Sequence, residues 1–204
     1  MGATASSNDS TSSGVAGDYT FLKKWTTQFS PASLALDDSS ASIYISDYSN
    51  NRIQKFDSNG TILTTWGTQG STDGQFNNPE GISVDVCTSD VFVADTDNHR
   101  IQKFDSNGTF LTTWGTQGSA ESQFNHPYGV AADGSGNVFV SDYDNHRIQK
   151  FDSNGTFLTT WGTQGSADGQ LSKPDGISVD DTSEEVYVSD GGNRRIQIFS
   201  NTGG

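Results

Sequence analysis

The chain is poor in the residues that several common protein classes depend on. Its 204 residues include a single cysteine, Cys87, so the chain can form neither an internal disulfide nor a cysteine-based metal site. No run of 18 apolar residues occurs, so no segment is predicted to span a membrane. Strong helix formers are sparse beside 23 glycines. A domain of this length can bury a core, and this composition favours short strands joined by turns.

Basic residues are also scarce. Eleven Lys and Arg oppose 25 Asp and Glu, which gives a net charge of −14. A protein that grips nucleic acid neutralises several phosphates with basic side chains, so we predict no nucleic-acid partner. Anionic membrane surfaces are disfavoured for the same reason. A cationic partner, or simple solubility, suits this charge better.

What the chain has in abundance is repetition. The 24 residues that begin at Asp97 occur again, letter for letter, from Asp144. Four arginines open related R-I-Q segments at spacings of 48, 47 and 48 residues: Arg52, Arg100, Arg147 and Arg195. The four prolines and the four tryptophans follow nearly the same period. A fixed period of this length indicates a repeat architecture with one supersecondary unit per repeat.

Each unit reads as four short antiparallel strands. In the third unit these are residues 128–133, 137–142, 146–152 and 156–162, which are rich in β-branched and aromatic residues and bounded by turn residues. Asn-Gly between the third and fourth strands predicts a hairpin, with positive φ expected at both residues. The unit is therefore predicted to be a four-stranded meander.

The second strand of each unit is apolar on both faces, as in the Val-Phe-Val at 91–93. Such a strand must be covered on both sides, which one isolated sheet cannot achieve. A ring of sheets packed face to face can do so, and we predict an all-β protein, a β-propeller of four four-stranded antiparallel blades. The tryptophans are expected between neighbouring blades. The last unit has three strands, so residues 18–28 are predicted to supply its outer strand and clasp the ring.

The domain limits follow from this assignment. Residues 1–17 are rich in Ser, Gly, Ala and Thr and are predicted to be a disordered tail without the features of a secretory signal. Residues 18–204 form the predicted propeller. The four repeat units cover about 29–66, 77–114, 125–161 and 172–204.

The segment from Asp144 to Phe157, preceded by P-Y-G-V-A-A-D at 127–133 and G-N-V-F-V-S-D at 136–142, resembles the NHL repeat family. The N-H-R-I-Q core is intact at Asn98–Gln102 and at Asn145–Gln149, and it is altered in the other two units. The resemblance implies a propeller, most familiarly of six blades, whereas this chain has four. A closed four-bladed monomer is favoured; a larger ring of two chains that exchange N-terminal strands, and an open filament, are the alternatives.

One face of the predicted propeller is the candidate binding surface. It carries the long connections 66–79, 114–127 and 161–174 together with the turns that leave the second strands. Residues at these places vary although the repeats around them are nearly identical, so they are where specificity could reside. The candidate partner-binding residues are Tyr48, Glu80, Asp97, Tyr128, Tyr143, Asp144 and Asp175.

Other polar residues recur once per unit and are interpreted as architecture. The aspartate that ends each second strand could suggest a calcium site but is expected to cap the turn, and the arginines are expected to pair with repeat aspartates. The histidines His99 and His146 alternate with Asn51 and Arg194 at one repeat position, which indicates turn scaffolding. We predict no catalytic residue, no metal and no cofactor.

These observations favour a non-enzymatic binding module, a rigid scaffold for a protein or peptide. The alternative is a propeller that binds carbohydrate or another small ligand through the tyrosine-bearing turns. A metal-dependent lyase or hydrolase is a third hypothesis, since some NHL-like propellers are zinc-dependent lyases. The protein is expected to be soluble, and the compartment, including an extracellular one, is left open.

Overall fold

The computed structural model describes residues 22–27 and 29–202. Within them, fifteen strands form four antiparallel sheets in chain order, and each sheet is a meander of consecutive strands. The predicted all-β architecture of successive blades in a propeller arrangement is confirmed. The first sheet comprises β1 (Leu34–Asp37), β2 (Ser42–Asp47), β3 (Arg52–Phe56) and β4 (Ile62–Trp66).

The remaining sheets repeat this plan. The second comprises β5 (Pro79–Val84), β6 (Val91–Asp95), β7 (Arg100–Phe104) and β8 (Phe110–Trp114). The third comprises β9 (Pro127–Ala132), β10 (Asn137–Asp142), β11 (Arg147–Asp152) and β12 (Phe157–Trp161). The fourth comprises β13 (Pro174–Asp180), β14 (Glu185–Asp190) and β15 (Arg195–Ser200). A single 3-10 turn joins the second and third strands of each sheet: Tyr48–Asn50, Thr96–Asn98, Tyr143–Asn145 and Gly191–Asn193.

The Asn-Gly hairpins form where predicted, but with a different turn geometry. In the second sheet only the glycine, Gly108, has positive φ, at 87°, and Asn107 does not share it. The Asp105 carboxylate accepts the N–H groups of Asn107 and Thr109, and the strand register shifts beside Phe104. This is a longer loop with a glycine bulge, so the expectation of positive φ at both residues was wrong.

Neighbouring sheets pack face to face, as the doubly apolar strands predicted. Tyr44 and Ile53 of the first sheet form one core cluster with Ile82, Val84 and other residues of the second. Because each strand is pleated, alternate residues face the preceding and the following sheet. We call these the front face and the back face of a sheet. The Val-Phe-Val of β6 is accordingly fully buried on both faces.

The tryptophans lie between blades, as expected. The ring centroid of Trp66 lies 5.8 Å from that of Phe104 in the next sheet, and Trp114 lies 5.8 Å from Phe151. Each indole also covers the glycine of the next sheet's hairpin. A Cβ added at Gly108 would lie 2.6 Å from Trp66, and this close approach requires a glycine.

The two ends of the row of sheets remain uncovered. On the front face of the first sheet, Leu34 and Leu36 are 62% and 57% exposed, whereas the equivalent Ile82 of the second sheet is 4% exposed. On the back face of the fourth sheet, Ile196 and Ile198 are 63% and 56% exposed. The first and fourth sheets therefore do not cover each other, which differs from the closed four-bladed ring favoured from the sequence.

The fourth sheet has three strands, consistent with the predicted completion by an N-terminal strand. Residues 22–27, the described part of that predicted strand, carry no strand assignment. They lie against the hairpin of the first sheet, where Lys23 donates a hydrogen bond to Asn59 Oδ1 at 3.0 Å and Trp25 covers Gly60. Residues 18–21 and 28, and the predicted tail 1–17, lie outside the described residues. None of the described helices is long and apolar enough to cross a membrane.

Candidate functional site

A buried aspartate organises each turn at the binding face. In the second sheet the Asp95 carboxylate, fully buried at the end of β6, accepts the N–H of Asn77 at 2.7 Å. It also accepts hydrogen bonds from the side chains of Asn98, Arg100 and Gln102. The backbone N–H therefore comes from the preceding long connection and not from the turn itself. The aspartate anchors the turn as expected, but by tying it to the connection and not by capping it.

The arginine–aspartate pair of this arrangement recurs in all four sheets. Nε of each repeat arginine lies 2.7–2.8 Å from the carboxylate of the aspartate five residues earlier, in the pairs Arg52–Asp47, Arg100–Asp95, Arg147–Asp142 and Arg195–Asp190. The expected pairing of arginines with repeat aspartates is confirmed. Because these carboxylates are already saturated with donors, they are structural groups. Within 22–27 and 29–202, no group of three or more His, Cys, Asp or Glu is placed to hold a metal ion.

The interchangeable histidine and asparagine position has one structural role. Asn51 Oδ1, His99 Nδ1 and His146 Nδ1 each accept the backbone N–H of the residue that precedes the next proline, at 2.8–3.1 Å. These acceptors lie at the end of the 3-10 turn with φ between 53° and 56°. Burial, and then the nearby His126, lowers the pKa of His99, which keeps Nδ1 free to accept. An amide oxygen and a neutral imidazole nitrogen are thus equivalent here.

The turns and the connections meet at one end of the sheets, as predicted. Asp97 donates its backbone N–H to Asn77 O at 3.1 Å, and Thr96 Oγ1 donates to Pro127 O at 2.8 Å. A cleft of 260 Å³ opens between these segments of the first three sheets. Its lining consists of Tyr48, Asn78, Glu80, Thr96, Asp97, His126, Tyr128, Tyr143 and Asp144.

The cleft brings together six of the seven candidate residues. Asp175 is the exception and lies outside the lining, in the fourth sheet. Sequence reasoning missed Asn78, Thr96 and His126 as lining residues. All three positions vary between repeats. The residue before the proline is Asn78, His126 or Lys173, and Thr96 stands where other turns have tyrosine or glycine.

The carboxylates of the cleft lie close to one another. Burial, and then the charge of Asp97, raises the pKa of the Glu80 carboxyl. Burial and the neighbouring Glu80 likewise raise the pKa of the Tyr128 hydroxyl. His126 stands between two carboxylates, with Nδ1 2.8 Å from Asp144 and Nε2 3.8 Å from Asp97. A cation that entered the cleft would therefore be favoured electrostatically.

Aromatic rings form one side of the cleft. Tyr128 and Tyr143 stack with ring centroids 4.7 Å apart and an interplanar angle of 28°. Tyr48, 38% exposed, comes from the first sheet. At the margin, the ammonium of Lys173 lies 5.1 Å from the Tyr143 ring centroid and 3.8 Å from Asp144 Oδ1. The protein's own lysine thus already makes the cation–π contact that this combination of groups offers.

Comparisons with solved structures place this architecture among larger proteins. A structure titled as streptogramin B lyase matches with a TM-score of 0.67 and 17% identity, over 85% of this chain and 52% of that one. A nidogen/laminin complex matches with a TM-score of 0.69 and 23% identity, over 87% and 64%. Hydrazine synthase of Kuenenia stuttgartiensis matches with a TM-score of 0.66 and 11% identity, over 94% and 51%.

These likenesses concern the fold. The chain spans between 51% and 64% of the length of the three matched chains. A search of curated proteins found no match. The NHL repeat family matches three segments, residues 76–104, 124–151 and 171–199, which correspond to the second, third and fourth sheets. The second, third and fourth sheets of this row of propeller blades are therefore NHL repeats.

Proposed function

We propose that the protein is a non-enzymatic binding module that takes a cationic side chain of a protein or peptide into the cleft between its first three sheets. The observation that supports this most directly is the combination of Glu80, Asp97 and Asp144 with the three tyrosines in one cleft. Aromatic faces and carboxylates together favour ammonium and guanidinium groups.

The shape of the site supports a side chain as ligand. A volume of 260 Å³ is small for a drug-sized molecule but suits one extended Lys or Arg side chain. The cleft opens on the face where turns and connections from successive sheets project, so a peptide lying across that face could insert one residue. The net charge of −14 would attract a basic segment over a longer range.

The test is calorimetric titration with three pentapeptides, Gly-Gly-X-Gly-Gly, in which X is Arg, Lys or Gln. We expect binding with Arg and Lys and none with Gln. Glu80→Gln should weaken Arg-peptide binding about tenfold, since a charge-assisted contact contributes about 1.5 kcal/mol. Asp175→Asn, at the equivalent repeat position but outside the cleft, is the matched control and should leave affinity unchanged.

Two results would contradict the proposal. Equal binding of the Arg and Gln peptides would show that charge is not recognised. Binding of a sugar on a glycan array, lost on Tyr143→Ala, would favour the carbohydrate hypothesis.

A further inference from the structure

We propose that two copies of this chain associate head to tail, with the back face of the fourth sheet of one copy covered by the front face of the first sheet of the other. Each copy would then supply a surface that the other lacks. The interface is heterologous, because two different surfaces meet in it. Two such contacts close a ring of two chains, which is a discrete assembly.

The contact would reuse an interface that the chain already forms three times. Inside the chain, a back face that includes Tyr44 and Ile53 packs on a front face that includes Ile82 and Val84. The repeat equivalents of these residues at the two ends are Tyr187 and Ile196 on the back face, and Leu34 and Leu36 on the front face. Both end faces therefore carry side chains of the type that pack together within the chain.

At one position the back face of the fourth sheet is more apolar than its inner counterparts. The first three sheets place a lysine at one position of this face, Lys55, Lys103 or Lys150, and the fourth places Ile198 there. Ile196 and Ile198 are more than half exposed. An apolar replacement at an exposed position favours a protein surface, not water, as its neighbour.

The N-terminal segment 22–27 indicates which kind of sheet belongs on the front face of the first sheet. Trp25 covers Gly60 as Trp66 covers Gly108 and Trp114 covers Gly155. Trp66 and Trp114 belong to the outer strand of the preceding blade, so Trp25 occupies the place of an outer strand of a blade that precedes the first. A sheet of three strands would fit beside Trp25, because the N-terminal segment would supply its missing outer strand. The fourth sheet, which a second copy would bring to this place, has three strands.

A buried polar atom near the same face is also unsatisfied. Gln54 is 3% exposed, and its Oε1 has no hydrogen-bond partner in the described part of the chain. In the second sheet the equivalent Gln102 Oε1 accepts the N–H of Gly74 at 2.9 Å. Gly74 lies in the connection between the first and second sheets, so the front side of the first sheet lacks the equivalent of this connection as well as a covering sheet.

Light scattering tests the proposal. The wild-type chain should have twice the 21.8 kDa mass of one chain at micromolar concentration. Ile196→Asp combined with Ile198→Asp should give the single-chain mass with unchanged circular dichroism, because both side chains are exposed in the monomer. The control combines Leu111→Asp with Leu158→Asp, each 47% exposed on outer strands away from the end faces, and should keep the doubled mass.

A cross-linking experiment determines the orientation. Leu36→Cys and Ile196→Cys are made in separate chains, both carrying Cys87→Ser, and are treated with a short bis-maleimide after mixing. The equivalent inner pair, Val84 and Ile53, lies in one cluster, so we expect the mixture to cross-link and either chain alone to stay largely uncross-linked. A wild-type chain that remains at single-chain mass up to 100-fold higher concentration, or cross-linking in each chain alone to the same extent, would overturn the proposal.

Discussion

The inner sheets and the end sheets are built from one repeat but differ in what covers them. Ile148 of the third sheet is fully buried, whereas Ile196, at the same repeat position in the fourth sheet, is 63% exposed. The aspartates differ in a related way. Burial raises the pKa of Asp142, while in the fourth sheet hydrogen bonds from Asn193, Ser172 and Arg195 outweigh burial and lower that of Asp190. The two isoleucines show that burial of a repeat residue depends on the neighbouring sheet and not on its own strand.

The largest effect is expected where an inner aspartate is removed. Asp142→Ala leaves the guanidinium of Arg147, whose side chain is 12% exposed, without its buried partner, and should cost about 4 kcal/mol of unfolding free energy. Asp190→Ala should cost less, because the Arg195 side chain is 27% exposed and can turn to water. Urea denaturation measures both. Equal losses would mean that the inner and end networks are energetically alike.

A pair of isoleucines isolates the contribution of packing. Ile148→Ala should destabilise the protein by about 3 kcal/mol, since it removes fully buried methyl groups and leaves a cavity. Ile196→Ala should change the unfolding free energy by less than about 0.5 kcal/mol when the chain is dilute enough to be monomeric. A loss at Ile196 that grows with protein concentration would report on the proposed contact between copies.

A smaller effect is expected at the hairpin glycines. Gly108→Ala should cost about 2 kcal/mol, because alanine is strained at a φ of 87° and its Cβ meets Trp66, which is held in β4. Gly60→Ala has a similar φ but meets Trp25 in the N-terminal segment, which can shift, so it should cost about 1 kcal/mol. Thermal or urea unfolding of both variants compares the stability cost at an inner hairpin with the cost at the hairpin of the end sheet.

The smallest effect concerns the pH dependence of ligand binding at the cleft. The pKa of Glu80 is raised, so as the pH falls through it the carboxyl takes up a proton before an ordinary glutamate would, and one attraction for a cation is lost. Affinity for the Arg pentapeptide should therefore fall with decreasing pH from above the usual glutamate pKa of about 4.3. Glu80→Gln should remove that step, and Asp175→Asn should retain it. A pH profile that is the same in all three proteins would contradict this role of Glu80.

Much of the fold was predictable because its signals are local. Successive residues of a strand face opposite sides of the sheet. The Val-Phe-Val of β6 is therefore apolar on both sides and required cover on both, as the structure shows. The turn geometry at Asn107–Gly108 was not predictable from the dipeptide alone. The Asp105 side chain accepts two backbone N–H groups there and selects a longer bulged loop.

Part of the candidate site was also predictable, because the repeat pattern shows which positions share a face. Variation between repeats identified Tyr48, Glu80 and Tyr128, since the fold brings those positions to one face. His126 is not among the residues predicted for the site, although its imidazole lies between two carboxylates of the cleft. That difference depends on side chains from three sheets, which no single repeat contains.

The sequence by itself determined the repeat unit, its four-strand pattern and the need for sheets to cover one another, because these follow from residue periodicity and the apolar character of both faces. Only the tertiary structure decided which end faces stay exposed and which side chains meet in the cleft. Both depend on the angle and spacing between successive sheets, and these are set by packing between residues about one repeat apart. Nearly identical repeats therefore acquire different roles according to their place in the row.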